Sequence, residues 1–355
     1  MSFRASFLDA AGLPPLPATE AAFTAAALAL FRHQAAHCPP YRAWLAALGR
    51  RPEAVQQLAD IPFLPIEFFK THDVRTEPEG WQPQEEFLSS GTTGQVRSRH
   101  LVREPLLYRR HAARLFEQRY GPLAGWNILA LLPSYQEQGQ SSLLAMVDYF
   151  AQQTGQQLPT YYLHDDDGLL QALGLAQLEN QAFNSKNEAL PATGRAAAPR
   201  RTLLFGVSYA LLDFAAKYAG RPELHQLTVF ETGGMKGRRR EMIRDELHQE
   251  LQRGFGPAGI HSEYGMTELF SQAYSAADGL FTLPPALRVL LRDPADPFAV
   301  SATRADGAIN VIDLANMDSC AFIETKDLAR MHPDGRFEVL GRLDNSDVRG
   351  CNQLL

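Results

Sequence analysis

Apolar side chains follow three successive rhythms along this chain. Up to about residue 80 they recur every three or four positions: Phe23, Ala26, Leu28 and Phe31, then Tyr41, Trp44, Leu45 and Leu48, with Pro39-Pro40 between the two groups. That spacing predicts a helical region over 1–80. From Phe87 onward, short apolar runs at 127–132, 160–163, 203–207, 227–230 and 259–261 alternate with helical stretches. Such alternation predicts βαβ units around buried, mostly parallel strands. The clearest helix spans 240–253, where Ile243, Leu247 and Leu251 stack and Gly254 stands as a C-terminal stop. Residues 184–200 have no period and many helix-breaking residues, and read as an exposed loop. Past residue 276 come shorter runs (287–291, 308–313, 321–324, 336–340), with Asp334-Gly335 as a hairpin turn. The expected fold class is α/β, a mostly parallel sheet flanked by helices, divided as 1–80, 81–275 and a small β-rich subdomain at 276–355.

Charge and cysteine usage narrow the function. The 355 residues carry 34 Lys+Arg and 40 Asp+Glu, a formal net charge of −6. An acidic balance argues against nucleic acid, whose phosphates call for a basic surface. The longest apolar candidate, 21–31, is too short to span a bilayer, and no signal peptide opens the chain. Cys38, Cys320 and Cys351 are too few and too scattered for a disulfide framework or a zinc knuckle. The expectation is a cytoplasmic protein without a membrane span.

Four short segments could carry chemistry. Ser89-Ser90-Gly91-Thr92-Thr93-Gly94 follows an apolar stub; its glycines and hydroxyls suit a phosphate cradle, although composition alone also fits a polar turn. No Gly-Lys-Ser/Thr follows, so it is not a Walker A loop. His261-Ser262-Glu263-Tyr264-Gly265-Met266-Thr267-Glu268 lies after a strand, at an expected strand-to-helix junction where ligands of open α/β sheets gather. Tyr264 offers a flat face for a base, Thr267 a donor for a phosphate and Glu268 an oxygen for Mg²⁺; Thr267 could equally be an N-cap. Glu231-Thr232-Gly233-Gly234 places a glycine pair directly after a strand, where backbone can approach a planar ligand. The fourth combines Thr325-Lys326-Asp327 with Gly341-Arg342-Leu343-Asp344.

In this order the segments resemble the motif series of adenylate-forming enzymes: acyl-CoA ligases, luciferase-like ligases and peptide-synthetase adenylation domains. Within that superfamily, residues 60–352 most resemble the acyl-protein synthetase family, the fatty-acid-activating subunit of the bacterial fatty acid reductase that supplies aldehyde for bioluminescence. The segments carrying this are Ile66-Glu-Phe-Phe-Lys-Thr-His72, 231–239, 263–272 and 341–352. The resemblance implies an ATP- and Mg²⁺-dependent ligase of the acid–thiol type. Ser89, Ser90, Gly91, Thr92, Thr93 and Gly94 would fold over the β- and γ-phosphates. Gly233 and Gly234 would flank adenine, with Tyr264, beside Gly265, stacking on it. Thr267 would touch the α-phosphate, Glu268 would hold Mg²⁺, Asp327 would bind the ribose hydroxyls, and Arg342 would reach the nucleotide from a hinge.

Two departures from that pattern stand out. The lysine usual after the Thr-Thr-Gly loop is replaced by Arg97 and Arg99. The C-terminal domain that normally follows the hinge is expected to be absent, leaving Lys70, Lys236 or Lys326 to supply an ammonium. In its place stands Cys351, which the resemblance makes the acceptor of the acyl group, as a thioester, before delivery to an acyl-protein reductase. Ser208, Tyr209 and His261 are candidate substrate-pocket residues, whereas His164-Asp165-Asp166-Asp167 reads as a solvated loop. Two other readings compete: a stand-alone ligase passing the acyl group to CoA or an amine, and a non-catalytic acyl- or nucleotide-binding subunit.

Overall fold

The computed structural model describes residues 2–90, 96–133, 139–188, 199–233, 242–256, 258–301 and 303–343, of 184–188 the backbone alone. The N-terminal region contains helices α1 (Phe3–Phe7), α2 (Glu20–His37) and α3 (Pro39–Ala47), strand β1 (Leu64–Pro65) and the single turn α4 (Phe68–Thr71). Thr19 caps α2 by accepting from the Ala22 amide (3.2 Å), and Pro39 opens α3, where its missing N–H costs nothing. Strands β2 (Glu85–Leu88) and β3 (Arg99–Val102) form an antiparallel hairpin flanking the Ser/Thr/Gly segment. Helix α5 (Pro105–Tyr120) follows. Next come β4 (Trp126–Leu131), α6 (Ser142–Thr154), α7 (Asp166–Glu188), β5 (Arg201–Val207), α8 (Ser208–Lys217), β6 (Leu227–Thr232), α9 (Arg244–Phe255) and β7 (Gly259–Tyr264). The C-terminal strands are β8 (Ala273–Ser275), β9 (Phe281–Thr282), β10 (Leu287–Asp293), β11 (Asp296–Ser301), β12 (Asp306–Asp313), β13 (Phe322–Met331) and β14 (Phe337–Arg342).

Among the described residues, β1 and β4 to β14 join one 12-stranded sheet, ordered β11-β10-β12-β13-β14-β9-β8-β7-β6-β5-β4, with β1 against β13. Strands β4 to β7 are parallel, linked by the crossover helices that the apolar runs predict. Beyond β7 the path turns antiparallel. Two cores result. One packs α5, α6, α8 and α9 on β4 to β7, around Phe116, Trp126, Phe205 and Phe230. The other packs α2 and α3 on β10, β12 and β13, around Phe31, Tyr41, Leu64 and Phe322. The segment 264–274 feeds both, with Phe270 and Tyr274 in the first and Tyr264, Leu269 and Ala273 in the second. Among the described residues, no helix is long and apolar enough to cross a membrane.

Several local expectations change. Helix α9 ends at Phe255, and its C-terminal stop is Gly256, at a positive φ of 67°, not Gly254. Gly254 is buried where α9 meets α8: a Cβ there would run into that of Ala215 and come within 2.9 Å of its carbonyl oxygen. Ile243 is an exposed N-cap outside the apolar stripe. Helix α7 continues to Glu188, so the first residues of the expected 184–200 loop are helical. Its opening turn takes up Asp166 and Asp167, with Asp165 accepting from the Gly168 amide (2.9 Å), so this acidic run is a helix start rather than a loop. The run 160–163 forms an isolated bridge to Ala130, because its neighbours turn away after one residue. No helix follows Glu268; β8 returns antiparallel to β7, and Thr267 caps nothing.

Candidate active site

Parallel strands deliver their carboxyl ends to one edge, and a cavity of about 190 Å³ opens there. Four of the sequence candidates line it: Ser90 after β2, Gly233 after β6, and Gly265 and Thr267 after β7. Leu132, Leu144, Met146 and Val207 supply apolar wall, and Thr232, Glu263 and Gln272 supply polar wall. Arg97 also faces this cavity, donating to the carbonyls of Ser89 and Leu88 (3.3 Å for the latter). Arg99 instead pairs with Asp73 (2.5 Å) and Glu86 (3.4 Å), so of the two arginines Arg97 is the one at the cavity. Ser89 ties the β2–β3 hairpin below its tip, its hydroxyl accepting from the Ser98 amide (2.9 Å).

Beside the cavity, Tyr264 donates through its hydroxyl to Asp327 (2.9 Å), and Asp327 lies 3.5 Å from the Arg342 guanidinium. The β13–β14 register sets Asp327 directly opposite Arg342. Burial raises the Asp327 carboxyl, and the Arg342 charge and the Tyr264 hydroxyl pull it back. The Tyr264 ring packs between Phe281 (5.8 Å) and Phe337 (5.5 Å). Glu268 is buried; burial raises its carboxyl, opposed by the Ser98 hydroxyl and by Arg342. Thus Tyr264, Asp327, Arg342 and Glu268 form one electrostatic group next to the cavity that Thr267 lines. Lys326 is held by Glu67 (2.5 Å).

The 265–272 turn that carries these groups is anchored from distant parts of the chain. Asp313, fully buried, accepts from the amides of Phe270 (2.8 Å) and Ser271 (2.9 Å) and from the Ser271 hydroxyl (2.7 Å). Asn316 donates to the Glu268 carbonyl (2.7 Å). His100 lies 2.8 Å from the Thr267 carbonyl and 3.0 Å from the Ser319 hydroxyl, stacked on Phe270. Burial lowers His100 to about 4, so its imidazole is neutral at pH 7 and donates to Thr267.

Ser208 is fully buried beneath the cavity, not on its wall. Its hydroxyl reaches the Gly233 carbonyl (3.1 Å) and Glu231 (3.3 Å). Tyr209, next on α8, is half-buried and absent from the cavity lining. His261 also lies off the cavity; lowered to about 4 by burial, it accepts from the Tyr120 hydroxyl (3.1 Å) and stacks on Phe230. Gly91, Thr92, Thr93, Gly94, Gly234, Lys236 and Cys351 lie outside the described residues.

Sequence reasoning missed Glu263, Gln272, His100 and Asp313. For Glu263 a signal existed: a Cβ on Gly265 would collide with its Oε1 and approach Gln272 Cγ at 3.4 Å, so the glycine of this motif makes room for that carboxylate. Among the described residues, no three His, Cys, Asp or Glu side chains are grouped to hold a metal.

No protein-family model matches the sequence, and no curated protein does. Solved structures do. A 2-hydroxyisobutyryl-CoA ligase in complex with 2-HIB-AMP and CoA superposes with a TM-score of 0.63 at 15% identity, over 92% of this chain and 70% of that one. ATP-bound MatB from Rhodopseudomonas palustris gives 0.48 at 17% identity over 72% of this chain. O-succinylbenzoate coenzyme A synthetase from Bacillus subtilis, in complex with AMP, gives 0.46 at 15% over 74%. The chain spans about half the length of these last two, 47% and 49%. The match to the 2-hydroxyisobutyryl-CoA ligase shows that this chain shares the α/β fold of that enzyme.

Proposed function

We propose that the protein activates a carboxylic acid with ATP, forming an acyl adenylate and pyrophosphate. The observation that carries this reading is the convergence of Ser90, Gly233, Gly265 and Thr267 on one cavity, beside the Tyr264–Asp327–Arg342 group. The substrate carboxylate attacks the α-phosphorus, a new oxygen–phosphorus bond forms, and the bond to the β-phosphate oxygen breaks. No proton has to move, so positioning and charge neutralisation are what the protein supplies. Thr267 donates to the α-phosphate, Asp327 accepts from the ribose, and Arg97 and Arg342 offset phosphate charge. Glu268 would hold Mg²⁺; one carboxylate suits an ion that keeps several waters and takes its other ligands from phosphates. Bound there, the ion supplies further charge neutralisation.

The finer reading comes from the acyl-protein synthetase resemblance. The acid is a fatty acid, the Cys351 thiolate attacks the acyl carbon with AMP leaving, and the thioester passes to a reductase in the cytoplasm. The likeness to a ligase solved with CoA favours a second reading, transfer to CoA. ATP–pyrophosphate exchange dependent on added acid tests the first step, and its absence with every acid favours a non-catalytic binder. Intact mass should then show an acyl adduct on Cys351 that hydroxylamine removes. Full turnover to acyl-CoA by Cys351→Ala overturns the thioester step.

A further inference from the structure

Two chains of polar contacts run from one short stretch of sequence, residues 4–14, to Thr267 and Ser271 in the site turn. In the first, Arg4 pairs with Asp318 (3.0 Å). The next residue, Ser319, donates its hydroxyl to His100 Nε2 (3.0 Å), and His100 Nδ1–H donates to the Thr267 carbonyl (2.8 Å). In the second, Asp9 pairs with Arg114 of α5 (2.5 Å), and the same guanidinium donates to the Pro14 carbonyl and to His111 Nδ1 (3.2 Å). His111 Nε2 meets the Ser271 hydroxyl (2.9 Å), which donates to Asp313 (2.7 Å). Between Arg4 and Asp9, Leu8 packs against both cores. The stretch therefore bridges the same seam as the 264–274 segment.

The second chain has a fixed direction. A guanidinium only donates, so His111 Nδ1 accepts and the ring proton sits on Nε2. Burial and the Arg114 charge lower His111 to about 3, so at pH 7 it is neutral, with one proton to give. Because His111 gives that proton to Ser271, the serine hydroxyl keeps its own for Asp313. Asp313 thereby gathers four donors: the Ser271 hydroxyl and the amides of Phe270, Ser271 and Ala315. Without Arg114, nothing in this chain selects the tautomer. In the other form Nε2 becomes an acceptor and competes with Asp313 for the single serine proton. His111, Ser271 and Asp313 are all fully buried, where such competition is costly.

We propose that Asp9 and Arg114 are positioning residues of the active site: they fix His111 in its Nε2–H form and so hold the turn that carries Thr267 and Glu268. What the turn does rests on the adenylation reading; how it is held rests on the hydrogen-bond chain alone. Neither Asp9 nor Arg114 lines the cavity. Breaking their pair therefore leaves the nucleotide's contacts in place and loosens the backbone that aims them, which lowers the rate more than the affinity.

Four variants of the full chain test this: Asp9→Asn, Arg114→Met, His111→Leu and His111→Gln. The glutamine accepts from Arg114 and donates to Ser271, as the imidazole does. Imidazole ¹⁵N spectra at pH 7 should show His111 in the Nε2–H form alone in the parent and as a tautomer mixture in Arg114→Met. Amide hydrogen exchange at Phe270 and Ser271, which donate to Asp313, should quicken at least tenfold in Arg114→Met and His111→Leu and about threefold in Asp9→Asn. Amides of β5 and β6 should keep parent rates, and His111→Gln should stay within threefold of the parent throughout. In acid-dependent pyrophosphate exchange, Arg114→Met should lose about tenfold in kcat with the KM for ATP changed less than twofold. Equal losses in His111→Gln and His111→Leu, acceleration of all amides together, or an unchanged tautomer in Arg114→Met overturns the assignment, because packing alone would then hold the turn. So does a loss confined to KM. If His111→Leu does not fold, the two variants at partly exposed positions, Asp9→Asn and Arg114→Met, decide the question. A parent without exchange on any acid sinks adenylation, and the tautomer and amide results still decide the positioning; exchange at parent kcat in all four folded variants does the reverse.

Discussion

Two glutamates on neighbouring parallel strands have opposite surroundings. Glu231, on β6, is buried and well partnered: Ser262 donates to it (2.6 Å), Ser208 reaches it (3.3 Å), His248 lies 3.6 Å away, and Arg244 (3.7 Å) brings positive charge. Burial pushes its carboxyl up, but His248, Arg244 and Ser262 more than compensate, and it ends below its ordinary value. Glu263, on β7, is half-buried and among the described residues has only Thr232; burial and the charge of Glu231 push it up to about 7. The contrast separates two uses of a carboxylate, one buried and one half-buried. Glu231 is part of the frame, tying α8, α9, β6 and β7 together below Gly233. Glu263 is held short of partners at a cavity wall, the condition in which a ligand can complete the set.

Removing the frame carboxylate is expected to have the largest effect. Glu231→Ala leaves Arg244, His248, Ser208 and Ser262 without their common acceptor, and should cost about 3–5 kcal/mol of stability in urea unfolding at pH 7. A loss below about 1 kcal/mol would break the comparison, because Glu231 would then be no better integrated than Glu263.

The cavity carboxylate should respond with the opposite sign. Its folded value, about 7, lies above the ordinary 4.5, so the folded state holds the proton more tightly than the unfolded chain. Whatever stability that proton confers is complete below about pH 4.5 and is lost as pH rises through 7. At 1.36 kcal/mol per unit, the ionised carboxylate costs the ligand-free protein about 3 kcal/mol at pH 8. Glu263→Gln, which cannot ionise, should therefore be more stable than the parent by about that amount at pH 8 and nearly equal to it at pH 4.5. Tyr108 and Tyr274 stay neutral across this range, since burial raises both phenols. Glu231 is held ionised by its partners, so Glu263 is the group in this pair left to titrate. Matched urea titrations at the two pH values check this; equal stability at both removes the strain assigned to Glu263.

How much of this was readable beforehand depends on the range of the interactions. Strands β4 to β7 announced themselves because a strand buried on both faces is apolar along its length, a local signal. The motif order placed Gly233, Tyr264, Thr267, Glu268 and Asp327 near one another without any coordinates. The turn after Tyr264 was misread because nothing local forbids a helix there; it is held by Asp313, Asn316 and His100, more than forty residues away in either direction. Gly254 looked like a stop because a glycine near a helix end usually is one, whereas here Ala215 of a neighbouring helix demands it. Glu263 and Glu231 are indistinguishable as letters, and only the side chains of adjacent strands decide which is satisfied.

The smallest expected effect concerns Gln272, which shares the cavity wall with Glu263. Gln272 Oε1 is buried with no donor, and an unsatisfied polar atom costs about 1–3 kcal/mol. Gln272→Leu removes that penalty at similar volume, and it also removes the amide hydrogen bond to Phe270, worth about 1 kcal/mol. The net change in the ligand-free protein should be a gain of up to about 1 kcal/mol. Thermal unfolding of parent and Gln272→Leu reads this change. A variant less stable than the parent even without ligand would mean that Gln272 belongs with Glu231, to the frame.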